Sequence, residues 1–505
     1  SDLLSKCVLA LGGTKITELS IKQISRWFLS QPARMEDLEL YLWGTQIVDS
    51  ALDDLASNAL SKMANLKSLV ISLNNTDIGD KGIASLLTKA ICKMKHLRKL
   101  ELALKELKIT DESMSNNITA ILNELQCLES LEIGLGGSGI KDGTVRGIAH
   151  GLSNLSRIKK LNLYFWSTGI TNECLKELGQ SLEKNRDIET FLLSLRDTTI
   201  TDEGIDDLNV CWRTIAFQEF EIYLRNTQIQ SPFFSGLISS ANSLSKLAIE
   251  LSESSVYDTV ILNLSRDVLN FTRNLKILDI QIWQTFVTDD GIIELSKVIG
   301  EQKYLHELIL GLGNTKLSDK GIRELNKALS RSKNIQKYDL DFQNTEITFC
   351  ALTGIASSAP TLRSLKLSFG GTQINDTTFK EFCSAGISKC RHLEKFELYL
   401  WGTQLSDVSI KEFASRILQL LSINHIPITE RTSFKGYFKK FILSLASTML
   451  SDLAIKELYG RASETLSQLD YMELDVTNTL ITESGLQALK SLKNSKKFDI
   501  KVSDS

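Results

Sequence analysis

The stretch LKSLVISLNNTDI at residues 66–78 carries apolar residues at alternate positions and ends on the pattern Thr-x-Ile. The same template, LxxLxLxLxxTxI, recurs in IKKLNLYFWSTGI at 158–170 and in LHELILGLGNTKL at 305–317. Alternation with a period of two predicts a strand with one buried face. The closing apolar residue occurs in about sixteen repeats, mostly 27 to 31 residues apart, which predicts a repeat architecture. The closing residues are Ile16, Ile47, Ile78, Ile109, Ile140, Ile170, Ile200, Ile229, Val256, Val287, Leu317, Ile347, Ile374, Leu405, Leu450 and Ile481.

A short acidic motif follows most of the predicted strands. TDEGIDDL at 201–208, TDDGIIEL at 288–295 and SDKGIREL at 318–325 place a hydroxyl residue before acidic residues, and then apolar residues at helical spacing. A hydroxyl residue ahead of an acidic first turn is typical of a helix N-terminus. Each repeat is therefore predicted to be a strand, a turn and a helix. Stacked repeats would bury a continuous core between parallel strands and helices.

A Thr or Ser lies two residues before nearly every closing residue, as in Thr14, Thr45 and Thr76. A short hydroxyl side chain at a strand exit can satisfy a backbone group of the turn. Because the feature is repeated in almost every repeat, it is predicted to be part of the scaffold and not a catalytic residue.

The LxLxxTxI strands and the TDxGI helix starts resemble those of leucine-rich repeat proteins of the ribonuclease-inhibitor type. The resemblance covers essentially all 505 residues. Two departures are the Thr where family members usually have Asn or Cys, and an apolar alternation that is two residues longer. The resemblance implies an α/β horseshoe with parallel strands on its concave face and helices on its convex face. It also implies protein binding, typically through the concave face, and no catalytic residues.

The octapeptide ELYLWGTQ occurs twice, at residues 39–46 and 397–404. In every fourth repeat a tryptophan stands four residues before the closing residue, and we call this position the tryptophan column. The recurrence predicts a single solenoid over 1–505 built from four blocks of four repeats. The predicted blocks are 1–126, 127–243, 244–361 and 362–497, with 498–505 as a partial further repeat. An insertion at 422–437 is either a functional loop or tolerated drift.

Composition argues against several classes of function. The net charge is −3 and no basic tract occurs, so we expect no nucleic acid partner. No apolar run reaches the length of a membrane span and the N-terminus lacks signal-peptide features, so we expect no membrane partner and a cytoplasmic location. The eight cysteines show no metal or disulfide spacing and are predicted to be reduced and mostly buried. GLGGSG at 134–139 matches GxGxxG without a dinucleotide-binding context. We therefore expect no enzyme activity, no metal and no cofactor.

Side chains between the apolar strand positions are expected on the concave face. At the four outward positions per strand we count fourteen acids against four bases (Lys105, Arg196, Arg225 and Lys366), and tyrosine and tryptophan join them. Aromatic anchors amid complementary charge are typical of protein interfaces. The predicted partner-binding residues are Glu39, Tyr41, Trp43, Glu132, Tyr164, Trp166, Glu221, Tyr223, Asp279, Trp283, Asp339, Asp341, Glu397, Tyr399 and Trp401.

These observations favour a non-catalytic scaffold whose acidic, aromatic face holds a basic protein or peptide. In the competing interpretation the tryptophans are inherited copies tucked against adjacent strands, and the acids only keep the surface soluble. Two other functions stay open. One is a structural component that associates through uncapped solenoid ends, and the other is the recognition part of a larger regulatory protein.

Overall fold

The computed structural model describes residues 5–29, 35–348, 352–423, 439–458, 470–490 and 498–502. The chain divides into two compact units, an N-terminal unit of residues 1–254 and a C-terminal unit of residues 255–505. Nine strands lie in the first and eight in the second, and neighbouring strands within each unit pair in parallel. The prediction of parallel strands is therefore confirmed.

The strands have five residues each, except the last, which has four. Those of the N-terminal unit are β1 (Lys6–Ala10), β2 (Asp37–Tyr41), β3 (Ser68–Ser72), β4 (Lys99–Ala103), β5 (Ser130–Gly134), β6 (Lys160–Tyr164), β7 (Thr190–Ser194), β8 (Glu219–Tyr223) and β9 (Lys246–Glu250). Those of the C-terminal unit are β10 (Ile277–Gln281), β11 (Glu307–Gly311), β12 (Lys337–Asp341), β13 (Ser364–Ser368), β14 (Lys395–Tyr399), β15 (Lys440–Ser444), β16 (Tyr471–Asp475) and β17 (Phe498–Lys501). The first sixteen belong to the sixteen predicted repeats, and β17 to the partial one.

Helical segments alternate with the strands along the chain. They are α1 (Glu18–Leu29), α2 (Asp49–Asp54), α3 (Asp80–Ser85), α4 (Asp111–Glu124), α5 (Asp142–Leu152), α6 (Leu175–Lys184), α7 (Asp202–Trp212), α8 (Asp258–Asp267), α9 (Asp289–Ile299), α10 (Asp319–Arg331), α11 (Asp376–Glu381), α12 (Asp407–Ile423), α13 (helical residues 452–458) and α14 (Glu483–Lys490). Each unit is therefore an α/β leucine-rich repeat solenoid, as the repeat pattern predicts.

Repeat length decides the kind of helix. The repeats that close at Ile229 and Ile347 are followed by the next closing residue after only 27 positions, and they form 3₁₀ turns at Ser235–Ser240 and Thr353–Ser358 in place of an α-helix. A 3₁₀ helix rises more per residue, so fewer residues span the same distance.

The core lies between the strands and the helices. The second and fourth residues of inner strands are buried, as Leu38 and Leu40 of β2 are, and both are 0% exposed. Helices contribute large side chains such as Trp212, which meets the Phe220 ring edge-on at 4.9 Å. Four of the seven described cysteines are also buried, and burial raises the pKa of the Cys390 thiol to about 12. The predicted burial is confirmed for these four cysteines, while Cys350 lies outside the described residues.

The strand exit has one conformation in all sixteen repeats. The residue three positions before each closing residue has a positive φ, such as 53° at Asn75, a region that favours Gly and Asn. The next residue is the repeated Thr or Ser, and the Thr76 hydroxyl donates to the Leu73 carbonyl at 2.8 Å. The predicted backbone role of this hydroxyl is confirmed by the same bond at Thr45, Thr285 and Thr403.

The acidic residue of each TDxGI motif bonds to the next repeat. The carboxylate of Asp111 accepts hydrogen bonds from the Lys141 backbone N–H (2.8 Å), the Thr144 backbone N–H (2.8 Å) and the Thr144 hydroxyl (2.7 Å). Such first-turn N–H groups have no partner inside their own helix. We call this series the aspartate ladder. Its members are Asp49, Asp80, Asp111, Asp142, Asn172, Asp202, Asp258, Asp289, Asp319, Asp376, Asp407 and Asp452.

The glycine of the motif makes room for the ladder. A Cβ at Gly82 would lie 2.6 Å from Asp49 Oδ1, and a Cβ at Gly291 would lie 2.6 Å from Asp258 Oδ1. A side chain at either position would displace the carboxylate of the preceding repeat. The Asp of one repeat and the Gly of the next therefore act together, because the Gly leaves room for the carboxylate that links the two repeats.

Three sequence-based expectations stay predictions. The predicted insertion at 422–437 falls almost wholly on residues 424–438, which lie outside the described residues. The four-block organisation and the continuity of one solenoid over 1–505 stay predictions. No helix among the described residues is both long enough and apolar enough to cross a membrane.

Candidate protein-binding face

Each strand turns its first, third and fifth residues away from the core, and the residue two positions beyond the strand follows the same alternation. We call this side the open face. In β2 it carries Asp37, Glu39, Tyr41 and Trp43, all partly or largely accessible, while the residues between them are buried. All fifteen predicted partner-binding residues occupy such positions, eight in the N-terminal unit and seven in the C-terminal unit.

The tryptophans of the open face are partly packed. Trp43 is 49% exposed, whereas Trp166, Trp283 and Trp401 are half-buried. The indole of Trp43 lies against Gly12 of the preceding repeat so closely that a Cβ there would overlap the ring. Gly136 lies under Trp166 and Gly370 under Trp401 in the same way.

Repeats one, five and thirteen each carry a Gly-Gly pair, and these pairs form floors for the tryptophans of the repeats that follow. The pairs are Gly12-Gly13, Gly136-Gly137 and Gly370-Gly371. The sequence contains both the tryptophan column and the Gly-Gly pairs. The structure shows that the indole rings stack on these glycines. Gly136 and Gly137 of the GLGGSG stretch belong to such a floor.

Three tyrosines of the open face bond to a glutamate two residues earlier on the same strand. Tyr41 donates to Glu39 at 2.9 Å, and Tyr399 donates to Glu397 at 3.2 Å. The bond from Tyr223 to Glu221 measures 2.6 Å. The hydroxyl of Tyr41, with help from Lys6, lowers the pKa of Glu39.

Tyr164 differs because Asn162 stands at the glutamate position. Asn162 donates to Glu132 at 2.9 Å, and its buried Oδ1 has no hydrogen-bond partner among the described residues. Burial and the charges of Glu132, Glu221 and Glu101 raise the pKa of Tyr164 to about 12. The charges of three glutamates therefore oppose ionisation of this tyrosine.

A column of lysines shares the open face with these acids. Lysine is the first residue of seven strands, and several of these lysines pair with the acids of the third position. Lys440 Nζ lies 2.6 Å from Glu397, Lys6 Nζ 3.3 Å from Glu39, and Lys99 Nζ 3.4 Å from Glu101. The seven lysines are Lys6, Lys99, Lys160, Lys246, Lys337, Lys395 and Lys440. The count of fourteen acids includes the first strand position, but the count of four bases leaves these seven lysines out. The first sixteen strands carry eleven bases at the four outward positions, so the acidic excess of the face is three charges and not ten.

Two of the tyrosine rings at the fifth strand position are covered by a cation of the same chain. Lys105 Nζ lies 4.7 Å from the ring centroid of Tyr164, and the Arg196 guanidinium lies 4.6 Å from that of Tyr223. Arg196 also pairs with Glu250, which is 7% exposed. Both distances are within the range at which a cation is attracted to an aromatic face.

The described residues contain no group of three or more His, Cys, Asp or Glu side chains placed to hold a metal ion. The open face instead consists of aromatic rings, carboxylates, amides and basic side chains on rigid strands. Such a surface can form hydrogen bonds, ion pairs and cation–π contacts with another molecule.

Comparisons with known proteins add no functional assignment. No protein-family model and no curated protein matches the chain. Among solved structures, an internalin from Listeria monocytogenes is similar at 20% identity with a TM-score of 0.41, over 72% of this chain and 86% of that one. The plant peptide hormone receptor RGFR1, in complex with RGF2, is similar at 14% identity with a TM-score of 0.35, over 99% of this chain and 90% of that one. The fold assignment rests on the strands and helices described above.

Proposed function

We propose that this chain is a non-catalytic protein-binding scaffold whose open face holds a basic protein or peptide. The observation that carries the proposal is the set of aromatic side chains on that face, of which Trp43 is the most exposed tryptophan. Its indole lies on a glycine floor beside Tyr41 and Glu39. A rigidly seated aromatic ring beside a carboxylate loses little conformational freedom on binding.

Charge favours a basic partner over an acidic one. At neutral pH the carboxylates near Tyr164, and the acids of β12 and β14, would repel the phosphates of a nucleic acid. The lysine column neutralises part of this charge, so the proposal relies on the aromatic rings for affinity and on the acids for selection of charge. A cytoplasmic location, and the absence of membrane and cofactor partners, belong to the same proposal.

The test is loss of binding in a tryptophan variant with a matched control. A partner captured from the source cells and then purified should bind Trp43→Ala about thirtyfold more weakly, because loss of one anchor costs about 2 kcal/mol. Trp27 is the control, since it is similarly exposed at 46% but lies on α1. Equal binding by wild type, Trp43→Ala and Trp27→Ala would reject the open face as the binding surface.

A further inference from the structure

Four tyrosines of the open face occupy the fifth strand position, in β2, β6, β8 and β14. Tyr164 and Tyr223 are covered by Lys105 and Arg196 of this chain. Tyr41 and Tyr399 are half-buried, and across the described ranges no lysine or arginine lies over either ring. The two rings without a cation are the tyrosines of the two ELYLWGTQ copies.

The difference has a structural cause in the preceding repeats. Lys105 lies two repeats before Tyr164 and crosses the repeat between them at Gly134, where a Cβ would lie 3.0 Å from Lys105 Cε. At the corresponding positions before Tyr399 the chain has Gln343 and Ser368, so it offers neither a cation nor the glycine gap. The repeat before Tyr41 contributes the uncharged residues Ala10 and Gly12.

One feature is common to the three sites. Trp43, Trp166 and Trp401 each lie on a glycine floor beside the tyrosine. At the two uncovered sites the glutamate of the same strand accepts the tyrosine hydroxyl through Oε2. Its other oxygen, Oε1, faces a lysine of a neighbouring strand, Lys6 at Glu39 and Lys440 at Glu397. A second cation placed on the ring would therefore lie close to a carboxylate.

We propose that Tyr41 and Tyr399 are subsites that each accept an arginine or lysine side chain of the partner on the ring face. The Lys105–Tyr164 pair is the internal form of the same contact. This inference rests on the proposed function, because it names the partner groups that the open face takes. Arginine fits better than lysine, since its planar guanidinium can stack on the ring while donating to a carboxylate.

The test uses the full-length chain and a fluorescein-labelled peptide of alternating arginine and glycine, with binding measured by anisotropy at fixed salt. A cation on an exposed ring contributes about 0.5–1 kcal/mol, so the double variant Tyr41→Leu/Tyr399→Leu should bind about tenfold more weakly. The replacement removes no charge, which separates ring contact from general electrostatics. Tyr41→Phe/Tyr399→Phe keeps both rings and should bind within about twofold of wild type, which also controls for misfolding of the leucine variant.

Tyr164 supplies the matched controls. Tyr164→Leu should weaken peptide binding much less than the Tyr41→Leu/Tyr399→Leu double variant does, because Lys105 already covers that ring. Lys105→Met uncovers the ring and should strengthen binding about threefold through a third subsite. The strengthening should disappear in Lys105→Met/Tyr164→Leu.

The outcomes separate this inference from the proposed function. If the double variant Tyr41→Leu/Tyr399→Leu binds the peptide as well as the wild type does, the subsites do not exist, although a basic partner remains possible. The inference is also overturned if Tyr164→Leu weakens binding as much as the loss of Tyr41 and Tyr399 does. If the wild type shows no binding to the arginine peptide, both the subsites and the basic partner are rejected.

Discussion

The helix starts and the open face are two sides of the same repeats, and they differ in how uniform they are. At the helix starts, the aspartate ladder makes the same bond from one repeat to the next, with Asn172 doing the work of aspartate in one repeat. On the open face, one column holds tyrosines with three kinds of surroundings: Tyr164 under a lysine, Tyr223 under an arginine, and Tyr41 and Tyr399 under no cation in the described chain.

The difference indicates which positions are constrained by folding. A ladder bond satisfies backbone donors at a helix start, and twelve repeats in the described part of the chain supply the Asp or Asn that makes it. Few open-face side chains accept a backbone hydrogen bond, as Asp341 and Asn74 do, so most of them can vary without breaking a neighbouring repeat. We therefore expect changes in the ladder to act on stability and changes in the open-face columns to act mainly on binding.

The largest effect should follow from removing one ladder carboxylate. Asp111→Ala leaves the N–H groups of Lys141 and Thr144 without an acceptor, so the free energy of unfolding should fall by about 3 kcal/mol, measured by urea denaturation. Asp111→Asn should lose less, because Asn172 accepts the equivalent bond naturally. The control is Asp77→Ala, which removes only an exposed ion pair with Lys108 and should cost much less stability than Asp111→Ala.

The ladder also predicts a pH dependence. Burial opposes ionisation of Asp111, but hydrogen bonds from Thr144, Lys141 and Gly143 outweigh it and lower the pKa of the carboxyl. A carboxyl with a lowered pKa stabilises the fold above its ordinary pKa of about 3.9, and the stabilisation is lost as the pH falls through the folded value. The stability difference between wild type and Asp111→Ala should therefore shrink below about pH 4. A difference that stays constant down to pH 2 would show that the charge of Asp111 is not involved.

The glycine floors are the place where the open face acts on stability. Gly136→Ala puts a methyl group where the Trp166 ring lies, and displacement of the ring should cost about 2 kcal/mol. In ¹⁹F spectra of 5-fluorotryptophan-labelled chain, the Trp166 signal should move while most of the other tryptophan signals stay in place. Gly169→Ala is the control, because its nearest neighbour is the flexible Lys141 side chain. Unchanged stability and an unchanged Trp166 signal would mean that the tryptophan does not depend on its floor.

Much of the fold could be predicted because the constraints are local and repeated. The alternation at 66–78 identifies β3 and its buried side, and the recurrent Thr76 position identifies the turn. The ladder is less visible, since the TDxGI motif suggests a cap for its own helix, whereas the partners of Asp111 lie 30 and 33 residues further along the chain. The Gly that accompanies the Asp was the available signal, because a helix start has no need of glycine at that position.

The open face could be predicted only as far as the direction of its side chains. Alternation correctly places Tyr41 and Trp43 on one side of the strand. It does not reveal that Lys105 covers Tyr164, because that contact crosses a repeat and depends on the missing side chain of Gly134. Pairings between repeats depend on spacing in three dimensions, which a column of residue types does not contain.

The smallest predicted effect concerns Asp341, an open-face acid whose ionised form is disfavoured by burial. Burial raises the pKa of Asp341, against the hydrogen bond from the Gln343 N–H and the charge of Lys366. A carboxyl with a raised folded pKa destabilises the fold increasingly as the pH rises through its ordinary value. Asp341→Asn keeps an acceptor for Gln343 and should therefore raise the free energy of unfolding at pH 7 by less than about 1 kcal/mol. This gain should vanish near pH 3, where the wild-type carboxyl is protonated.

Asp339→Asn, which removes the partner of Lys366 at 3.2 Å, serves as the comparison and should not stabilise the protein. If Asp341→Asn instead lowers stability at pH 7, its charge contributes to the fold, and this part of the open face resembles the ladder.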